Sequence, residues 1–172
     1  MIVMKNKIIK IISWLLVIIW MIIIFMFSSM DTNESNSKSE NTINKVIETT
    51  LDTTNNIGIT DKHPSNNKIN NVVKTLNYPL RKCMHASIYL ILAILLINAL
   101  TKYKIKISKK LFITLILCFI YALLDEYHQT FVFGRTGQFS DVLIDTTGSI
   151  IGIIIYLIKY KLYDKKRQKI LN

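Results

Sequence analysis

Residues 8–27 read IIKIISWLLVIIWMIIIFMF. Beyond Ser13 the only polar side-chain atoms in this stretch are the indole N–H groups of Trp14 and Trp20. A helix rises about 1.5 Å per residue, so roughly 20 residues cross a hydrocarbon core about 30 Å thick. A core helix of a soluble domain would interleave polar positions every third or fourth residue. This stretch does not, and it reads as a membrane span.

Three further apolar blocks follow. The second runs from Cys83 to Leu100. The third runs from Leu111 to Leu124, with a polar extension to Phe131, and the fourth from Val142 to Ile158. Between them the chain is rich in Asn, Thr, Ser and Lys. The expected fold class is all-α: a single domain over residues 1–172, built as an integral membrane bundle of four transmembrane helices at 8–27, 83–100, 111–131 and 142–158. The apolar part of the first helix is longer than the h-region of a secretory signal, and no A-x-A-like cleavage site follows it, so it is expected to be retained.

Basic residues set the orientation. Lys5, Lys7 and Lys10 lie before and at the very start of the first span. Lys102, Lys104, Lys106, Lys109 and Lys110 join the second to the third. Lys159, Lys161, Lys165, Lys166, Arg167 and Lys169 follow the fourth. Four crossings put all three segments on one side, and the cytoplasm is the consistent assignment for both termini. The net charge of +11 is therefore explained by helix ends beside anionic lipid head groups. No basic soluble face accompanies it, and nucleic acid is not expected as a partner.

The first outer segment, residues 28–80, carries two amphipathic patterns. Ile43, Val46, Ile47 and Leu51 fall at helical spacing, as do Ile69, Val72, Val73 and Leu76. Short amphipathic helices are expected there, with a turn at Gly58 and Pro64 between them. Pro79 is expected to stop the second before the next span begins. His63 stands alone in the turn and suggests no chemistry. Cys83 and Cys118 lie at different depths and are expected to be free thiols.

Ionisable side chains inside membrane spans are costly and are usually paired or functional. Here they collect on one side. Helix two enters from the outside with Lys82, His85 and Tyr89, spaced along nearly one face. Helix three ends on Asp125, Glu126 and Gln129, with Asp125 and Gln129 at i, i+4. Helix four begins with Asp141 and Asp145, followed one turn apart by Gly148 and Gly152, a small-residue packing seam. The connection from Thr130 to Ser140 holds Gly134-Arg135-Thr136-Gly137, which can turn Arg135 back toward the carboxylates. The bland reading is an ion-pair network that holds short helices together. The sharper one is a site for a polar or anionic group at the outer leaflet.

The set Lys82-x-x-His85-x-x-x-Tyr89, Asp125-Glu126-x-x-Gln129, Gly134-Arg135-x-Gly137 and Asp141-Val142-Leu143-x-Asp145-x-x-Gly148-x-x-x-Gly152 resembles the VanZ-like family. Phe27-Ser28-Ser29 fits the same pattern. Met30 stands where the family often has Gln, and Asp145 where it usually has Asn. The resemblance implies a multi-pass protein of the bacterial plasma membrane. It also implies an association with resistance to the lipoglycopeptide teicoplanin, which is a phenotype rather than a reaction.

Three mechanisms follow from the residues. In the first, the outer site binds or excludes a membrane lipid, a lipid-linked cell-wall precursor or the antibiotic. Lys82, Tyr89, Gln129, Arg135, Asp141 and Asp145 are the substrate-binding candidates, with cations meeting phosphate or carboxylate. In the second, a membrane enzyme modifies a lipid-linked or glycolipid substrate. Its candidate catalytic residues are His85, Asp125, Glu126 and Arg135, as base, acid or orienting group, and oxyanion stabiliser. In the third, the chain is a structural or assembly partner. Ser28 and Ser29 read as cap residues rather than nucleophiles. The His, Asp and Glu types also allow a divalent metal, but no closely spaced ligand pair such as His-Glu-x-x-His occurs, so the favoured expectation is neither a metal nor another cofactor.

Overall fold

The computed structural model describes residues 2–56 and 66–171. They form five helices: α1 (Ile2–Ser28), α2 (Thr32–Asn56), α3 (Asn66–Thr101), α4 (Ile107–Gln129) and α5 (Phe139–Leu171). No strand occurs among the described residues. Four of the helices hold stretches long and apolar enough to cross a membrane: Asn6–Ser28, Asn71–Thr101, Ile107–Gln129 and Phe139–Asp164. Isoleucine-rich sequence folds this way because lipid offers no partner to backbone N–H and C=O groups, and a helix satisfies them internally. Many of the isoleucines point outward, among them Ile11, Ile18, Ile22, Ile150 and Ile154, as lipid-facing side chains should.

The centre of the bundle is α3. It packs against every other helix, most extensively against α5. Its Tyr89, Leu92, Ala93, Leu96 and Ala99 form the buried core with Val17 and Ile24 of α1, Cys118 and Ala122 of α4, and Val142 of α5. Side chains with a polar tip tie α1 to its neighbours. The Trp20 indole N–H donates to the Ile88 carbonyl at 2.9 Å, and the Tyr121 hydroxyl donates to the Met21 carbonyl at 2.6 Å. At the far end Trp14 donates to the Tyr103 hydroxyl at 3.1 Å, and Lys10 lies 4.9 Å above the Tyr103 ring. Both thiols are free, Cys118 in the core and Cys83 at the surface.

The contact between α3 and α5 is made by backbone. A Cβ added at Gly148 would lie 2.0 Å from the Ala86 carbonyl oxygen, and one added at Gly152 would lie 2.5 Å from that of Leu90. The two helices touch along the Gly148–Gly152 seam, where the Ala93 methyl group is the nearest side chain at 3.2 Å from an added Gly152 Cβ. This close approach sets His85 and Tyr89 of α3 against Asp145 and Ser149 of α5.

The outer segment differs from its sequence reading. Pro79 does not stop a helix; it lies inside α3, which runs unbroken for 36 residues. Proline removes one backbone donor and crowds the preceding turn, but the helix is held on both sides of it. The seam holds it below. Above, α2 packs along it, with Ile43 and Val73 buried. Ser39 donates to Asn77, Asn77 Nδ2 donates to Glu40 at 3.2 Å, and Arg81 donates to Asn36 at 2.8 Å. The first amphipathic pattern is thus the middle of a 25-residue helix, and the second is the N-terminal part of α3. The expected turn at Gly58 and Pro64, with His63, lies outside the described residues.

A methyl group at the seam must push the helices apart. Gly148→Ala is therefore expected to destabilise the protein by about 1–3 kcal/mol, despite the ~1 kcal/mol that alanine gains over glycine within a helix. Thermal unfolding in detergent micelles checks this, and Gly152→Ala should show the same sign.

Candidate functional site

Successive spans alternate in direction, so the end of α1, the middle of α3, the end of α4 and the start of α5 meet at one end of the bundle. The lysine-rich segments lie at the other end. At the meeting point α3 supplies Lys82, His85 and Tyr89, α4 supplies Asp125, Glu126 and Gln129, and α5 supplies Asp141 and Asp145. The loop between α4 and α5 supplies Arg135. Gly134 in that loop has φ 72°, a left-handed conformation open to glycine at little cost. Gly137 packs so close to α4 that an added Cβ would lie 2.6 Å from the Glu126 carbonyl oxygen.

The sequence candidates separate into three groups. Lys82 is ion-paired with Asp141 and lies 5.1 Å from the centre of the Tyr78 ring. That pair clips α3 to the start of α5. Glu126 faces the loop, where its Oε2 accepts the Gln138 backbone N–H at 2.9 Å. It anchors the turn. Gln129 is a relay. Its Oε1 accepts from Arg135 at 3.0 Å, and its Nε2 donates to Asp125 Oδ2 at 3.3 Å. Arg135 reaches the carboxylates through this amide rather than directly.

The third group is buried. His85 Nδ1 lies 3.9 Å from Asp145 Oδ1, too far for a hydrogen bond and near enough for electrostatic coupling. Tyr89 and Asp145 have no exposed surface, and Asp125 is 3% exposed. His85 Nδ1, the Tyr89 hydroxyl, Asp125 Oδ1 and both oxygens of Asp145 lack hydrogen-bond partners. Ser28 joins them from α1. Its hydroxyl is within electrostatic reach of Asp125 without closing a well-formed hydrogen bond. Unsatisfied buried polar groups are rare, and each costs about 1–3 kcal/mol, more when charged. Here they face one another.

Above this chamber lies a cleft of about 560 Å³, counting its open mouth. Lys38, Arg81 and Arg135 supply its charge, Ser35 and Ser39 add hydroxyls, and Phe27, Met30, Met84 and Ile88 supply apolar wall. His85 lines the cleft as well as the chamber below. Burial first, then the charge of Arg81, lowers the Arg135 guanidinium below its ordinary pKa, while Asp125, Glu126 and Asp141 act in the opposite sense. Arg81 and Lys38 are not legible as site residues in the sequence. They become so only when α2 folds back along α3, and the adjacent Arg81-Lys82 pair is the one local signal.

The VanZ/LLP1 family model matches residues 13–160, and the chain belongs to this family. No curated protein and no solved structure matches it significantly.

The Glu126 anchor makes a separate prediction. Glu126→Ala should free the loop, raising amide exchange at Gln138 and the neighbouring residues by roughly one to two orders of magnitude, the equivalent of losing a charge-assisted bond of about 1.5–3 kcal/mol. Glu126→Gln, which keeps an acceptor oxygen, should recover part of the protection. Hydrogen–deuterium exchange with mass spectrometry reads both.

Proposed function

We propose that this VanZ/LLP1 family member sits in a bacterial plasma membrane with both termini in the cytoplasm. Its cleft holds an anionic amphiphile at the outer leaflet, and this binding lowers susceptibility to lipoglycopeptides of the teicoplanin type. The orientation follows from the lysine-rich end, which the positive-inside rule assigns to the cytoplasm. The family's association with teicoplanin supplies the phenotype.

The observation that carries the reading is the composition of the cleft. Three cationic side chains, Lys38, Arg81 and Arg135, meet the apolar wall of Phe27, Met30, Met84 and Ile88. Such a surface complements a phosphate or carboxylate that carries a hydrocarbon chain. Guanidinium groups bind these anions through paired N–H donors. Arg81 and Arg135 also repel each other, and an anion between them relieves that repulsion. A phospholipid, a lipid-linked cell-wall precursor and a lipoglycopeptide all present this chemistry.

A second reading is favoured by one observation. His85 opens to the cleft while its Nδ1 lies 3.9 Å from Asp145, so a proton acceptor with a carboxylate near its other nitrogen stands beside the proposed head-group position. That is the arrangement of a general base. On this reading His85→Ala changes the lipid or precursor profile of the membrane, and an unchanged profile by mass spectrometry removes it.

Arg81→Ala and Arg135→Ala should each weaken binding of an acidic phospholipid by about tenfold or more, the effect of losing one charge-assisted hydrogen bond. Native mass spectrometry in detergent measures that binding. Expressed in a susceptible host, both variants should return the teicoplanin inhibitory concentration toward that of cells without the protein. Full binding and full protection in both variants at wild-type expression would sink the proposal.

A further inference from the structure

The buried chamber asks for something the cleft does not explain. Asp125 and Asp145 are two carboxylates in a membrane bundle, and no Lys or Arg nitrogen lies within 4.0 Å of either among the described residues. Lys82 is taken by Asp141, and Arg135 stops at Gln129. Asp145 has no exposed surface, yet both of its oxygens lack a hydrogen-bond partner. Two carboxylates left ionised this way cost several kcal/mol unless they take up protons or a positive charge is placed between them.

One ligand atom from each of His85, Asp125 and Asp145 lies within 4.8 Å of the other two. We propose that these three side chains, one from each of α3, α4 and α5, form a binding site for a zinc-class divalent cation at the base of the cleft.

The chemistry fits. Imidazole and carboxylate are ordinary zinc donors at about 2.0–2.2 Å, which places neighbouring donors of a tetrahedral site about 3.3–3.6 Å apart. The His85–Asp145 separation of 3.9 Å is close to that, and small rotations of the two carboxyl groups bring the set to bonding distance. A divalent ion balances the two negative charges. The donor set disfavours calcium and magnesium, which require six or more ligands that are mostly oxygen. Three protein donors leave a fourth position for water or ligand. The Tyr89 hydroxyl, in electrostatic reach of both carboxylates, and Ser28 beside Asp125 offer hydrogen-bond partners to a bound water. None of the three donors is a cationic residue of the cleft, but His85 lines both the cleft and the site, so a guest in the cleft lies beside the proposed ion.

No local sequence pattern announces these ligands. They stand 40 and 20 residues apart along the chain, and only the packing of α3, α4 and α5 against one another brings them together.

The full-length protein in detergent, stripped with a chelator, dialysed against Zn²⁺ and gel-filtered, should carry about one zinc per chain by elemental mass spectrometry. Glu48→Gln, on the exposed face of α2, should carry the same. Asp145→Asn and His85→Gln should lose occupancy at limiting Zn²⁺ by more than the roughly tenfold that follows loss of an outer hydrogen-bond partner. A wild-type protein that stays zinc-free, or an Asp145→Asn protein that binds as well as wild type, overturns the proposal. Should both variants fail to fold, Co²⁺ added to the wild-type protein decides: the visible absorption of four-coordinate cobalt supports the site, and its absence overturns it.

Discussion

The bundle depends on how closely α3 and α5 approach. Gly148 and Gly152 bring the two backbones together against Ala86 and Leu90, and the register of that seam fixes everything above it. In lipid there is little hydrophobic drive between helices, so small residues that permit close packing carry much of the association. The seam lies within a turn of both His85 and Asp145. The residues that hold the helices together therefore also set the spacing of the most deeply buried polar groups.

The polar end of the bundle is organised in layers. Outermost is a cleft whose three cations are supplied by α2, α3 and the α4–α5 loop. Beside it the Lys82–Asp141 pair and the Glu126–Gln138 bond fix the walls. Beneath lies a chamber of groups that carry no protein cation between them. The layers communicate through two side chains. Gln129 passes hydrogen bonding from Arg135 to Asp125, and His85 borders both the cleft and Asp145. Charge introduced at one level is consequently felt at the other, over distances too short and too dry for salt to screen.

Much of this was legible in the sequence, for identifiable reasons. Four apolar blocks specify four spans because nothing else satisfies a backbone in hydrocarbon. The spacing of Gly148 and Gly152 gives the seam, and chain direction alone brings the ionisable residues to one end. Other features required the fold. Pro79 reads as a stop because its local effect is unfavourable, and it is overridden by packing on both sides. Glu126 and Gln129 share helical spacing, but the loop claims Glu126 for the Gln138 amide. Arg81 and Lys38 acquire meaning only through the α2–α3 pairing, which is set by hydrogen bonds of Asn36, Ser39 and Asn77 that leave no periodic signature.

The unbroken path of α3 through Pro79 has a mechanical consequence. At about 1.5 Å per residue its 36 residues form a rod about 54 Å long, well beyond the ~30 Å of a hydrocarbon core. Arg81, Met84 and His85 of the cleft ride on the same rod as Ala86 and Leu90 of the seam. That wall cannot swing without unzipping α5. The opposite walls are attached differently: α2 is held by the buried Ile43 and a few side-chain hydrogen bonds, and the α4–α5 loop by the Glu126 anchor. The stiffness of the cleft is therefore lopsided. One wall is thus a fixed anvil and the other a lighter jaw, so any widening of the cleft falls on the side of α2 and the loop.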